Sequence, residues 1–330
     1  MRPTRWTGLA AGLLFVPSLA LAQDIISARA GLVHHSDGRV LLNGKPLVHK
    51  ATKFQELKEN EYLRTEQGRA EILLTPGIFL RLGEDTHVQM LSSKLSDVRL
   101  RMLSGAALIE ADEVEKSSSV TVITPESEVR LSRAGLYRLD LLKDQEPRLR
   151  VFAGEAVVTG RGAEYRLRAK KEIDLAGDFV NRKFNPEDTD ALDRWSKRRA
   201  NYLAIANVSA SRLAYNSGAS YSVSSWIWNP YFGMYTFLPS RNICWSPYGY
   251  GFYSPKAVYY LYNPPANYSA SSSPGIPSSY NRDYGYNSVG ATSAGTSGVV
   301  ASSPSSPVSQ GGDAAVSRGG GGDAGGGARR

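Results

Sequence analysis

The chain has 330 residues, 39 Lys and Arg against 31 Asp and Glu, and a single cysteine. That length supports one good core with accessory segments, and the lone Cys244 excludes an intrachain disulfide framework. The formal charge of +8 is not a nucleic-acid footprint: residues 6–205 hold 30 basic and 28 acidic residues, as a mixed solvated surface does, and the excess is spread thinly over the rest.

In chain order, Arg2 and Arg5 precede an apolar stretch from Gly8 to Ala22 that ends in Ala20-Leu21-Ala22. Small residues flanking one other residue are what a signal peptidase reads, so residues 1–22 are expected to be a signal peptide whose cleavage leaves Gln23 first. The stretch is shorter than the about 20 apolar residues a spanning helix needs. No cysteine follows it to carry a lipid, and no later stretch is apolar enough to span. The mature protein is therefore expected to be periplasmic or secreted, without a stable membrane span.

Residues 23–180 read as all-β. Leu100 to Ile109 (LRMLSGAALI) is echoed by Leu149 to Val158 (LRVFAGEAVV), each an apolar run entering a glycine and a second run leaving it. Such an echo predicts a β-unit stacked or paired with itself. Strand-like runs of five to seven residues alternate with short turns: Arg69 to Thr75, then Pro76-Gly77, Ile78 to Leu82, then Gly83 to Thr86, and His87 to Leu91. Val120 to Thr124 is β-branched and stops at Pro125, which cannot donate to a ladder. This pattern predicts stacked short strands, solenoid-like or sandwich-like, rather than a βαβ fold.

Residues 185–205 predict the one helix. Asn185 is placed to cap it, with Pro186 at its first position. Acids load its first half and Arg194, Lys197, Arg198 and Arg199 its second, in the order that complements the helix dipole. Ala191, Leu192, Trp195 and Tyr202 are expected to form its apolar face. Residues 206–265 are rich in aromatic, proline and glycine residues, with 15 of the chain's 32 aromatics between Tyr221 and Tyr262. Short aromatic ribbons, or a loop packed on the β-domain, are expected there. Residues 266–330 are mainly Ser, Gly, Pro, Ala and Asn, with too little apolar mass to offset chain entropy, and are expected to form a disordered tail.

The middle resembles the FecR-domain family. The likeness lies in Ala28 to Gly31 (ARAG), Tyr62 to Ile72 (YLRTEQGRAEI), Pro76-Gly77 with Leu80, Leu82 and Gly83, and the pair of segments centred on Gly105 and Gly154. It covers residues 25–176. The resemblance implies a periplasmic module of stacked short strands. In the best-known members that module relays a signal from an outer-membrane iron-siderophore receptor to a sigma factor across the inner membrane. Those regulators carry a cytoplasmic helical segment and a membrane helix ahead of the β-domain, where this chain has the expected signal peptide. Asp193, Trp195 and Arg198-Arg199, followed by Trp226, Trp228 and Trp245-Ser-Pro-Tyr-Gly-Tyr, look more like the exported FecR-domain proteins with aromatic C-terminal segments.

Reactive machinery is not evident. His34, His35, His49 and His87 are the histidines. His34-His35 beside Ser36-Asp37 reads as a surface turn, since neighbours on a regular strand face opposite ways and cannot chelate one ion. Cys244 has no thiolate-stabilising motif beside it. No nucleophile elbow, phosphate loop or metalloprotease motif occurs. Neither an enzyme, a metal site nor a cofactor is expected. Exposed Trp and Tyr faces stack on sugars or anchor protein partners, which makes Trp226, Trp228, Tyr231, Trp245 and Tyr248 the candidate binding residues. The expected partner is an envelope protein, with glycan or peptidoglycan as the alternative, and no nucleic acid.

Overall fold

The structure is a computed structural model that describes residues 25–26, 29–48, 54–176 and 178–263. All lie in the unit Met1–Asn287. The expected signal peptide, His49 and the expected tail fall outside the described residues.

The middle of the chain is all-β, as its alternation predicts. One 15-stranded sheet turns over on itself to make two layers: the first holds residues 97–104 with Val120–Ile123, Glu128–Leu131, Glu155–Gly160 and Ala163–Arg168, and the second holds residues 105–111 with residues 70–73, Ile78–Leu82, Gly135–Leu141 and Arg148–Ala153. Long strands that change partners midway make the corners. Asp97–Ala111 pairs through residues 97–104 with His87–Lys94, then through residues 107–111 with Ile78–Leu82. On its other edge it pairs in parallel with Val120–Ile123, then antiparallel with Gly135–Leu141. Tyr62–Leu73 likewise passes from His87–Lys94 to Ile78–Leu82. Arg148–Ala153 and Glu155–Gly160 are two strands hinged at Gly154.

The echoed segments are two of these corners. They do not pair with each other: Gly135–Leu141 lies between residues 105–111, which hold the second half of the first copy, and Arg148–Ala153, which holds the first half of the second. Both central glycines are required by geometry. Gly105 has φ +96°, and a Cβ there would stand 2.3 Å from Thr86 Oγ1. Gly154 has φ +87°, and its Cβ would stand 2.3 Å from the Tyr137 hydroxyl oxygen. Positive φ is the region only glycine enters without strain.

Strand alternation decides which side chains fill the space between the layers. Ile72, Leu80, Ile109, Leu139 and Val151 point into it from the second layer, Val122, Val129 and Val158 from the first. The far face of the second layer is covered as well, by α1 (Ala191–Asn216) and the aromatic segment. Every residue of Ile78–Leu82 and of Gly135–Leu141 is therefore buried.

The helix begins later and runs further than residues 185–205. Its N-cap is Asp190, whose side chain accepts from Leu192 and Asp193 N–H groups while Asp193 bonds back to the Asp190 N–H. That capping box is fixed by Arg138, which reaches both carboxylates at 2.6 Å. Asn185 instead turns the chain ahead of the helix, its Oδ1 accepting from Glu187 N–H. The extension to Asn216 follows from small residues at helical spacing. Ala206, Ala210 and Ala214 are fully buried, letting the helix lie against the hairpin Ser225–Asn229 and Met234–Leu238. Of the expected apolar face, Leu192 and Trp195 are buried, whereas Ala191 and Tyr202 are exposed.

The aromatic region folds into two hairpins and a short helix. The first hairpin joins Ser225–Asn229 to Met234–Leu238, and Ile25–Ile26 adds to its edge opposite Trp226 and Ile227. The second joins Ile243–Trp245 to Gly251–Tyr253. Helix α2 (Pro255–Tyr262), capped by Ser254, then packs on α1. Buried amides tie the hairpins to α1: Asn207 donates to Phe237 O and accepts from Tyr253 N–H, and Asn229 donates to Ala206 O.

Candidate functional site

Between the second layer and α1 lies a buried ionic layer. Three neighbouring strands each turn a charged residue outward among apolar ones: Glu71, Arg81 and Glu110. All three side chains are fully buried. Arg81 Nε donates to Glu71 Oε2 at 2.8 Å, and its Nη1 donates to Glu110 Oε2 and, at 2.9 Å, to Ser196 Oγ of α1. Arg199, one helical turn further on, donates through Nη2 to Glu71 Oε1 at 2.8 Å. From the aromatic segment, Ser246 donates to Glu110 Oε1, and the Tyr248 hydroxyl bonds Ser196 Oγ at 2.8 Å. Burial alone would raise the Glu71 carboxyl, but Arg199, Arg81 and the His34 bond outweigh it and hold it well below the usual range.

His34 belongs to this layer. It does not lie in a surface turn but in the strand Leu32–Leu42, and it is buried. The register slips between Val33 and His35, and this bulge turns the strand so that His34 reaches Glu71 while the ring of its neighbour His35 stacks on Trp195. His34 Nδ1 bonds Glu71 Oε1 at 2.9 Å, and Nε2 accepts the Tyr235 N–H at 3.0 Å. Both ring nitrogens are thereby engaged in the neutral form, with the proton on Nδ1. Burial pushes the pKa of this imidazole down, with Glu71 opposing.

Two satellites flank the layer. In one, Arg138 bridges Asp140, Asp190 and Asp193, and Arg150 also reaches Asp140 at 2.6 Å. Burial pushes Asp193 up to about 6 against the pull of Arg138. In the other, Asp112 is buried with neither carboxylate oxygen hydrogen-bonded. Desolvation, reinforced by Glu110, raises its pKa well above the usual range, with Arg81 opposing. Burial, with Glu113 and Asp112 adding to it, pushes the Cys244 thiol up to about 12. That is the reverse of what a nucleophilic cysteine needs. Among the described residues no three His, Cys, Asp or Glu side chains form a group that could hold a metal ion.

The five aromatic candidates are not brought onto one face. Trp226 is 3% exposed; its ring meets Phe79 edge-on at 5.0 Å. Trp228 is half-buried against Phe54 and Tyr235. Trp245 is half-buried in the second hairpin, and Tyr248 is half-buried with its hydroxyl on Ser196. Tyr231 stands free at 76% exposure in the turn of the first hairpin, beside the exposed Phe232. A larger exposed aromatic surface lies elsewhere, on α1 and α2. The Tyr215 and Tyr259 rings stack at 4.7 Å, Tyr260, Leu261 and Tyr262 are exposed beside them, and the Arg212 guanidinium lies 5.7 Å from the Tyr262 ring centroid.

Sequence reading missed the ionic layer because alternating charge on strands reads as a solvent face. A signal was present. Glu71, Arg81 and Glu110 each interrupt an otherwise apolar run, and Leu192, Asp193, Trp195, Ser196, Arg199 and Leu203 recur at the three- and four-residue steps of one helix face.

Residues 61–157 match the family model described as FecR protein. No curated protein matches the chain. Two crystal structures from Parabacteroides distasonis ATCC 8503, each of "a putative anti-sigma factor", are similar to part of it. The first, at 1.65 Å resolution, shares 15% identity over 41% of this chain and 64% of that one, with a TM-score of 0.35. The second, at 2.50 Å, shares 14% identity over 41% and 62%, with a TM-score of 0.33. The chain thus spans less than two thirds of the length of either structure. The family match runs from the start of the strand Tyr62–Leu73 past the hinge at Gly154, and so takes in all three corners. The match to the FecR family model thus lies within the two-layered middle of this chain.

Proposed function

We propose that this chain is an exported, non-enzymatic binding module, in which the FecR domain is a rigid frame and the C-terminal elements present the contact surface to an envelope protein, in signalling or envelope organisation. The observation that carries this reading is the tyrosine-rich surface of α1 and α2. Tyr215, Tyr259, Tyr260, Leu261 and Tyr262 leave 38–54% of their area in water on a frame whose other aromatics are largely packed away. Large flat rings bury much area at little entropic cost, which is why they anchor interfaces. Support for a non-enzymatic role comes from the engagement of the reactive groups: both His34 nitrogens are bonded, the acids of the ionic layer are paired, and the Cys244 thiol is held protonated. Export rests on residues 1–22.

The test is a photo-crosslinking residue placed at Tyr260 in the full chain, expressed in cells of its own type. One defined envelope protein should be captured, and lost when Leu261→Ser and Tyr262→Ser are added. Capture that persists in that variant, or none, overturns the reading. N-terminal sequencing of the exported protein should begin at Gln23. Glycan binding is a second reading, favoured by the freely exposed Tyr231 and its neighbour Phe232. Neutral glycan fragments that change tryptophan fluorescence, with the change abolished by Tyr231→Ser, would support it in place of the first.

A further inference from the structure

The solvent face of the first layer carries a feature that neither the aromatic segment nor the family match accounts for. Arg99, Thr121, Arg130, Val157 and Arg166 stand opposite one another across five adjacent strands. Val98, Leu100, Val122, Val129 and Val158, beside them in sequence, all point into the core, so this row points outward. Adjacent strands lie about 4.8 Å apart, which spaces the three arginines about 10 Å from one another in a straight line. Thr121 and Val157 between them are only 7% and 3% exposed although they face outward. Arginine stems lie along apolar surface while their heads stay in water, which accounts for that shelter.

The guanidinium groups are loosely held. Arg99 is 3.5 Å from Glu128, and Arg166 is 3.9 Å from Glu155. Exposed pairs of this kind are worth little and exchange readily. Arg130, at the centre of the row, is exposed and makes no ion pair among the described residues. Arg101 and Arg168 flank the row on the same face, so five arginines there meet the four acids Asp97, Glu128, Glu155 and Glu164.

We infer that this arginine row is a binding face for a linear acidic polysaccharide, laid across the strands with its carboxylates on the guanidinium groups. Arginine suits carboxylate because its fork donates two parallel hydrogen bonds. The spacing selects the ligand class. Duplex DNA carries one charge per about 1.7 Å of axis, far denser than this row can match. An extended polyuronate carries an acid on every sugar, and its alternate carboxylates, which a two-fold chain turns to the same side, lie at a separation close to that of the arginines. The face has no cleft, which suits a chain lying flat rather than a buried monosaccharide.

The experiment uses the full mature chain and immobilised polygalacturonate, with dextran, duplex DNA and anionic phospholipid vesicles as comparators. Polygalacturonate should retain the protein at low salt and release it as salt rises. Arg130→Gln with Arg166→Gln should weaken retention at least about tenfold, as loss of charge-assisted bonds predicts. Arg194→Gln with Arg198→Gln, exposed charges on α1, should leave it unchanged. Unaltered melting of both variants would show that the fold is intact. Equal retention of the two variants, no retention of the parent chain, or retention by DNA or vesicles as strong as by polygalacturonate would each overturn the inference.

Discussion

The two faces of the second layer are both out of water, yet they are built on opposite principles. Toward the first layer, Ile72, Leu80, Ile109 and Leu139 meet only apolar neighbours. Toward α1, the same strands present Glu71, Arg81, Glu110 and Arg138 among Phe79, Leu108 and Leu136. The apolar face holds by burial alone and tolerates any partner of similar shape. The charged face holds only if each group finds its counterpart, so it accepts one helix in one register. A buried ion pair adds little net stability but is costly to break, which makes it a device for specifying how a covering element sits.

Substitution separates the two faces most strongly. Arg81→Met should cost about 3–5 kcal/mol, because Glu71 and Glu110 lose their shared cation. Leu139→Ala in the apolar interior should cost about 2–5 kcal/mol by leaving a cavity. Urea unfolding at two pH values tells them apart. The Arg81→Met loss should shrink in acid, where the stranded glutamates take up protons, while the Leu139→Ala loss should not change. A pH-independent Arg81→Met loss would mean that packing, not charge, holds α1.

Next in size is the corner glycine. Gly105→Ala should cost about 1–3 kcal/mol from backbone strain, with the Thr86 clash adding to it. The same substitution at Gly44, whose Cβ would meet nothing, strains the backbone without a clash and should cost less.

Smaller, and opposite in sign, is the effect at Asp112. Its pKa in the fold lies above the unfolded value of about 3.9, so its favourable contribution is complete below that pH and is lost as pH rises through the folded value. Asp112→Asn should therefore be more stable than the parent near neutrality, and the advantage should vanish in acid. His34 acts the other way. Its folded pKa is depressed, so stability present above about pH 6.5 is lost as pH falls through the folded value. In thermal melts from about pH 4 to about pH 8, Asp112→Asn should rise above the parent at the upper end, whereas His34→Gln should fall below it there, and both differences should narrow in acid. Smallest is Tyr260→Ser on the open face of α2, which should change stability by no more than about 0.5 kcal/mol and so isolates binding from folding.

Much of the fold was legible in the residues themselves. The apolar run Ile78–Leu82 between turn residues and the β-branched run Val120–Ile123 mark them as strands, and the echo around Gly105 and Gly154 marks equivalent bends. Helix limits were less legible, because Asp190 wins the cap through Arg138, 52 residues away. The burial of Trp226 and the freedom of Tyr260 were not legible either. Both are aromatic residues among prolines and glycines, and only the seat each occupies on Phe79 or on α2 distinguishes them.

A polypeptide leaves the ribosome from its N-terminal end, so the strands of the two layers are made before α1 and the aromatic hairpins that cover them. Had the uncovered side been wholly greasy, the half-finished molecule would offer a ready seam to any passing chain. Carboxylates and guanidinium groups keep that side hydrated in the interval, and shed their water only when their own lid arrives.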